Sequence, residues 1–159
     1  MSGAPANLRV SPILMLGRAL YREAERIMAD SKQHHVPVDL GTLKGSGHVQ
    51  LPVVSGTRVV VTMGYGGAAS GYAVYLHEGT GPVVGRPPFM PPVDAIRKWA
   101  KRKGIPEEAA FAIARAIGQR GQRPLKYLET PANNARRGMD KRLAQDVAVQ
   151  IARDVRGKK

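Results

Sequence analysis

The stretch from Gly71 to Pro92, GYAVYLHEGTGPVVGRPPFMPP, constrains what this chain can fold into more than any other. Tyr72, Val74 and Leu76 alternate with Ala73, Tyr75 and His77. That period of two predicts a strand with one face packed and the other open to solvent or a partner. Gly79 and Gly81, followed by Pro82, Pro87, Pro88, Pro91 and Pro92, stop it. Prolines lack the amide that a ladder needs, so residues 79–92 should cross the surface as an extended or turning loop.

The rest of the chain arranges itself on either side of that block. Residues 1–10 carry little pattern and read as an arm. Ser11 then offers a hydroxyl N-cap with Pro12 in the first helical position. Ile13, Leu16, Leu20, Ala24 and Ile27 recur every three or four residues, which predicts an amphipathic helix over 11–33, slightly weakened by Gly17. Residues 36–78 read as a β-meander. Within it Leu43 anchors a glycine-rich loop from Asp39 to Gly47, and His48–Val54 and Arg58–Tyr65 form a hairpin. Pro52 marks an edge strand or a bulge in the first arm. Residues 93–121 read as a helical insert, VDAIRKWAKRKG paired with EEAAFAIARAIGQRG, and Gly118 to Pro124 as a basic turn. Met139, Leu143, Val147 and Ile151, at steps of four, predict a last helix over 134–155, before a basic tail at 156–159. The fold class expected is α+β: a single domain in which a small antiparallel sheet is packed by an N-terminal and a C-terminal helix, with a helical-hairpin insert.

Charge is distributed unevenly. The 25 Lys and Arg against 12 Asp and Glu give a formal net charge of +13. Most of that surplus follows Gly79, in the helical half, and it favours a polyanion or an acidic partner. Arg97, Lys98, Lys101, Arg102, Lys103, Arg120, Arg123, Arg136 and Arg137 are the residues expected to meet DNA or such a partner. With few aromatics for base stacking, any DNA contact should be to phosphates and without sequence preference. There is no cysteine, which removes disulfides, thiolate metal sites and cysteine nucleophiles. No apolar run approaches the ~18 residues of a membrane span, and no secretory signal is expected.

Catalytic motifs fail on spacing. His77 and Glu78 are followed by Gly79, Thr80, Gly81 and Pro82, not by the second histidine of a zincin. Lys44 precedes Gly45, so Asp39 to Gly47 is not a phosphate loop. His34 and His35 are adjacent and should point different ways, which argues against a shared metal. Neither enzyme activity, metal nor cofactor is expected. Glu78 should instead accept hydrogen bonds from the turn that follows it, or pair with Arg58 or Arg86.

Three signatures occur in order: VPVDLGTLKGSG from Val36 to Gly47, YAVYLHEGTG from Tyr72 to Gly81, and RPPFMPP from Arg86 to Pro92. Together with a leading helix and trailing helices they resemble the neck and tail-completion, or head-tail joining, family of tailed bacteriophages. Leu40 stands where that family usually has threonine, and the helical insert is longer than in a minimal member. The resemblance implies a non-catalytic ring subunit of the virion neck, made in the host cytoplasm. Its implied partners are other copies of itself, the adjoining connector and tail proteins, and genomic DNA in the lumen. Tyr75, His77, Glu78, Thr80, Arg86 and Phe89 are the residues expected at the protein interface. The alternative function is a stand-alone basic DNA-binding protein.

Overall fold

Pro12 opens the first helix, α1 (Pro12–Asp30), where its missing amide is not needed. The Ser11 hydroxyl does not cap it; the Ser11 carbonyl accepts the Leu14 and Met15 amides instead. The computed structural model describes residues 10–39, 41–67 and 70–156. Most of the amino-terminal arm, Leu40 and the end of the basic tail lie outside these. Helices and short antiparallel strands give a small α+β fold. It divides into two compact units: residues 1–69 with 127–159, and residues 70–126.

In the first unit, α1 buries Met15, Ala19, Glu23, Ala24, Ile27 and Met28. This face is rotated from the predicted stripe, and Leu16 is exposed. The reason lies in small residues that a count of large apolar positions ignores. Gly17 is buried, and a methyl group there would sit 3.2 Å from Pro52 Cβ and 3.5 Å from Val59. The glycine that should only weaken the helix is thus the place where the hairpin approaches it.

Beyond Asp30 the helix widens into a π turn (Ser31–His35), and Val36 becomes extended ahead of Pro37. Ser31 is fully buried. Its hydroxyl donates to the Tyr127 carbonyl at 2.6 Å and, having only one hydrogen, accepts from the Tyr65 hydroxyl at 2.7 Å. The Tyr65 and Tyr127 rings meet edge to face at 5.1 Å. Burial raises the Tyr65 phenol above its ordinary pKa. Replacing Ser31 with alanine leaves a buried carbonyl and a phenol without this partner. A loss of about 1–2 kcal/mol is expected in urea unfolding.

The predicted glycine-rich loop contains one helical turn, α2 (Thr42–Ser46), pinned by buried Leu43. The hairpin follows as two ladders. Strands β1 (Gly47–Val49) and β4 (Met63–Tyr65) pair antiparallel, with Val49 opposite Met63. Strands β2 (Val53–Ser55) and β3 (Arg58–Val60) pair with Val53 opposite Val60. The Gln50 amide still bonds to the Thr62 carbonyl at 2.7 Å, so the outer register runs one pair further. Leu51 and Pro52 then oppose Val61 alone. This is a bulge in the first arm, where proline's missing amide does no harm, and it displaces the inner register by one residue. Among the described residues no third strand joins, so the expected meander is a single hairpin resting on α1.

The last predicted helix is in fact two: α6 (Glu129–Arg136) and α7 (Met139–Arg156), separated at Arg137 and Gly138. Buried Pro131 lies in the first turn of α6, a position that tolerates it. Helix α7 packs along α1. Arg142 on α7 binds buried Glu23 on α1, and donates also to the Ala135 and Arg137 carbonyls around the break. The Gln150 amide reaches the Met15 carbonyl at 3.0 Å, and Arg22 pairs with Asp146 at 3.2 Å.

The second unit contains the largest correction. Residues 70–78 form a helix, α3 (Ser70–Glu78), and not a strand. Every residue from Tyr72 to Leu76 is apolar, so alternation had no polar member to define a face, and short apolar runs do not separate strand from helix. A helix satisfies its own backbone, whereas a strand here would need an edge to pair with. Gly79, at φ 78°, stops it with its amide on the Tyr75 carbonyl at 2.9 Å. A single 3₁₀ turn (Pro82–Val84) begins the proline-rich loop. Helices α4 (Val93–Arg102) and α5 (Ala110–Arg120) pack against each other through Ala100, Ala110 and Ala114, all buried.

Candidate functional site

The loop after α3 is fastened at both ends. The amides of Thr80 and Gln122 donate to each other's carbonyls, both at 2.9 Å, forming an isolated antiparallel bridge between the loop and the chain leaving α5. Two glycines make this approach possible. Gly81 (φ 68°, ψ −161°) and Gly121 (φ 78°, ψ −179°) both occupy a region that is essentially restricted to glycine. A methyl group on Gly121 would lie 2.1 Å from the Thr80 carbonyl oxygen, and one on Gly81 would lie 2.8 Å from Gly121 Cα. Further along, Met90 crosses α5 at buried Gly118, where a methyl group would stand 3.1 Å from Met90 Cα.

The same arrangement closes the end of α3. The Leu125 and Lys126 amides donate to the Leu76 and His77 carbonyls at 3.0 and 3.1 Å, which satisfies groups a helix end leaves open. Lys126 is the one non-glycine residue at positive φ (49°) among the described residues. Arg86 reaches back to donate to Glu78 at 2.6 Å and to the Gly79 carbonyl at 3.3 Å. Of the two partners expected for Glu78, Arg86 is the one observed. Its guanidinium holds the Glu78 carboxyl below the ordinary range.

Tyr75 and Phe89 stack in parallel, with centroids 6.4 Å apart and planes 7° apart. They remain 53% and 55% exposed. The structure therefore brings together the six residues singled out in the sequence: Tyr75 and Phe89 as an exposed aromatic pair, Glu78 and Arg86 as an ion pair, Thr80 in the bridge, and half-buried His77 in the last turn of α3. Sequence reasoning missed Gly118, Gly121, Gln122 and Leu125, which hold this loop in place. The available signal was the pair of close glycine spacings, Gly79 to Gly81 and Gly118 to Gly121, at the two strands of the bridge.

The nine cations expected to contact DNA or an acidic partner are all exposed. Seven of them lie in the second unit, and Arg136 and Arg137 belong to the first. Some already have acidic neighbours in the chain. Arg97 binds Asp94, and Lys101 lies 3.5 Å from Glu107. His34 and His35 both turn toward Asp30, at 2.7 and 3.6 Å. Among the described residues no group of three or more His, Cys, Asp or Glu could hold a metal ion, and no helix is long and apolar enough to cross a membrane.

No family model, curated protein or solved structure matches the chain.

Proposed function

We propose that this chain is a structural subunit of the neck of a tailed-phage or phage-like particle, a tail-completion or head-tail joining protein that forms a ring between the connector and the tail. Its α+β scaffold, a hairpin covered by helices with a helical insert, serves to present surfaces and carries no catalysis. The observation that carries this reading is the second unit's surface. Eight large apolar side chains there are exposed: Tyr72, Val74, Tyr75, Val83, Phe89, Met90, Phe111 and Leu125. Of these, Val83, Phe89 and Met90 lie on the loop tied down by the Thr80 to Gln122 bridge and the Arg86 to Glu78 pair, and Tyr75 stacks on Phe89. Exposed apolar groups on an ordered scaffold favour a protein partner. The order of the three sequence signatures supports the neck assignment, and contacts that close a ring must join two different patches.

Phe89→Asp tests the interface. The change sits on the exposed side of the loop, so urea unfolding should shift by only about 1 kcal/mol or less, from loss of the stack. Assembly, read as oligomer mass and as neck completion in a particle assay, should fail. Wild-type assembly by this variant would remove the loop from the interface.

A second reading, a stand-alone basic DNA-binding protein, draws on the exposure of all nine cations. Duplex binding at two salt concentrations separates the readings. Phosphate contacts predict tight binding that falls steeply with salt, whereas the ring subunit predicts weak binding at both.

A further inference from the structure

Helices α1 and α7 run antiparallel: Glu23 meets Arg142, Arg22 meets Asp146, and the Met15 carbonyl accepts from Gln150. Beside the last two of these pairs lies a hollow of about 340 Å³. Arg18 and Arg22 line it from α1, and Gln150, Arg153 and Asp154 from α7, together with buried Met15. Helical spacing brings them there. Met15, Arg18 and Arg22 follow at steps of three and four along α1, and Arg153 and Asp154 stand three and four residues beyond Gln150 on α7, so each set shares one face.

Three guanidinium groups thus converge on one hollow, whose lining holds a single carboxylate, Asp154. Arg22 is held through its Nε on Asp146 at 3.2 Å, which leaves its two terminal nitrogens to donate outward. Arg18 and Arg153 are exposed, and neither side chain forms an ion pair among the described residues. The Gln150 amide is fixed by the Met15 carbonyl at 3.0 Å and the Asp146 carbonyl at 3.4 Å. We infer that this hollow is an anion site that takes the phosphate backbone of duplex DNA.

The guanidinium fork matches phosphate oxygens and reads no base, so the site carries no sequence preference. The spread of the cations favours a polymer over a small phosphate. From Arg22, opposite Asp146, to Arg153 the row follows α7 for about 10 Å, at 1.5 Å per residue. One strand of a duplex sets about three phosphates along that length, at ~3.4 Å each, one for each guanidinium. A free phosphate meets only part of such a row. The site lies wholly in the first unit and uses none of the nine cations considered above, so it goes beyond the ring reading and does not need it. Three contacts alone give weak binding, with log affinity falling by about 3 for each tenfold rise in salt.

The test is binding of the full chain to a short labelled duplex between about 50 and 200 mM salt. Arg18→Ala combined with Arg153→Ala should weaken low-salt binding by about tenfold or more and reduce the salt slope by about 2. Alanine favours an exposed helix position, so urea unfolding of this variant should stay unchanged. Lys44→Ala combined with Arg58→Ala removes the same two charges from exposed positions of the same unit and should move the slope by about 0.5 or less. Arg18→Lys with Arg153→Lys keeps the charges and should keep the slope. Equal losses in the two alanine pairs, no loss in the first pair, or no duplex binding at the lowest salt would overturn the site. Inorganic pyrophosphate is the second probe: at the same phosphate concentration it should leave the duplex bound, and displacement would assign the hollow to a small phosphorylated molecule and overturn the backbone assignment. Light scattering on the first alanine pair separates this site from the ring. Unchanged oligomer mass is expected, and a loss of mass together with duplex binding would make these arginines an assembly contact and overturn the site.

Discussion

Arg142→Ala is expected to destabilise the chain by about 2–3 kcal/mol, because it takes the principal partner from a buried carboxylate. Glu23 is buried on α1, and Arg142 supplies its principal hydrogen bonds. Arg26 at 3.0 Å is the remaining partner, which keeps the loss below that of a fully stranded carboxylate. Arg142 also donates to carbonyls on both sides of the α6 to α7 break, so its removal frees three elements at once. The double variant Glu23→Met and Arg142→Met should recover most of the stability, because an apolar pair replaces both charges and leaves neither stranded. Urea unfolding of the three proteins checks this.

The same pair predicts a pH dependence. The hydrogen bond from Arg142 lowers the Glu23 carboxyl below its ordinary value of 4.5, against the opposing effect of burial. A depressed carboxyl stabilises the fold fully above its unfolded pKa and loses that contribution as pH falls through the folded one. The stability gap between the natural chain and Glu23→Gln should therefore be constant near neutral pH and narrow below about pH 4.5. A gap that widened with acid would contradict the assigned partner.

Gly121→Ala is expected to cost about 3 kcal/mol or more within the second unit. Two effects combine: a backbone conformation open essentially to glycine alone, and a methyl group 2.1 Å from the Thr80 carbonyl oxygen. Backbone atoms cannot yield there without breaking both hydrogen bonds of the Thr80 to Gln122 bridge. Hydrogen exchange at the Thr80 and Gln122 amides should accelerate, and the proline-rich loop should become open to proteases. Gly85→Ala is the control. Its φ is also positive, at 70°, but a methyl group meets nothing within 4 Å, so its loss should be about 1 kcal/mol.

Helix positions were legible where large apolar residues recur against polar ones. Helix α4, with Ala100 buried, Trp99 half-buried and its cations outside, is such a case. The hairpin was legible through its valines and the Ser55 to Thr57 turn, and Pro52 announced the bulge. Legibility failed where the pattern lacked contrast. Tyr72 to Leu76 is apolar throughout, so its period was undefined, and the helix-stopping role of Gly79 was the better guide. It also failed where packing depends on absence of a side chain. Gly17, Gly118 and Gly121 each admit a neighbouring segment, and no pattern of hydrophobicity encodes which segment arrives. The six residues expected at an interface lie near one another because they sit close in sequence, at the end of α3 and on the loop after it. Gln122 and Leu125, some forty residues on, are joined to them only by the fold.

The central claim, that this is a ring-forming subunit, is tested most directly by the mass of the purified chain across a concentration series, measured by light scattering, with electron microscopy of any large species. The account predicts discrete closed oligomers that appear as concentration rises, and rings by microscopy. A strict monomer that binds duplex tightly and releases it with salt would contradict it and favour the DNA-binding reading.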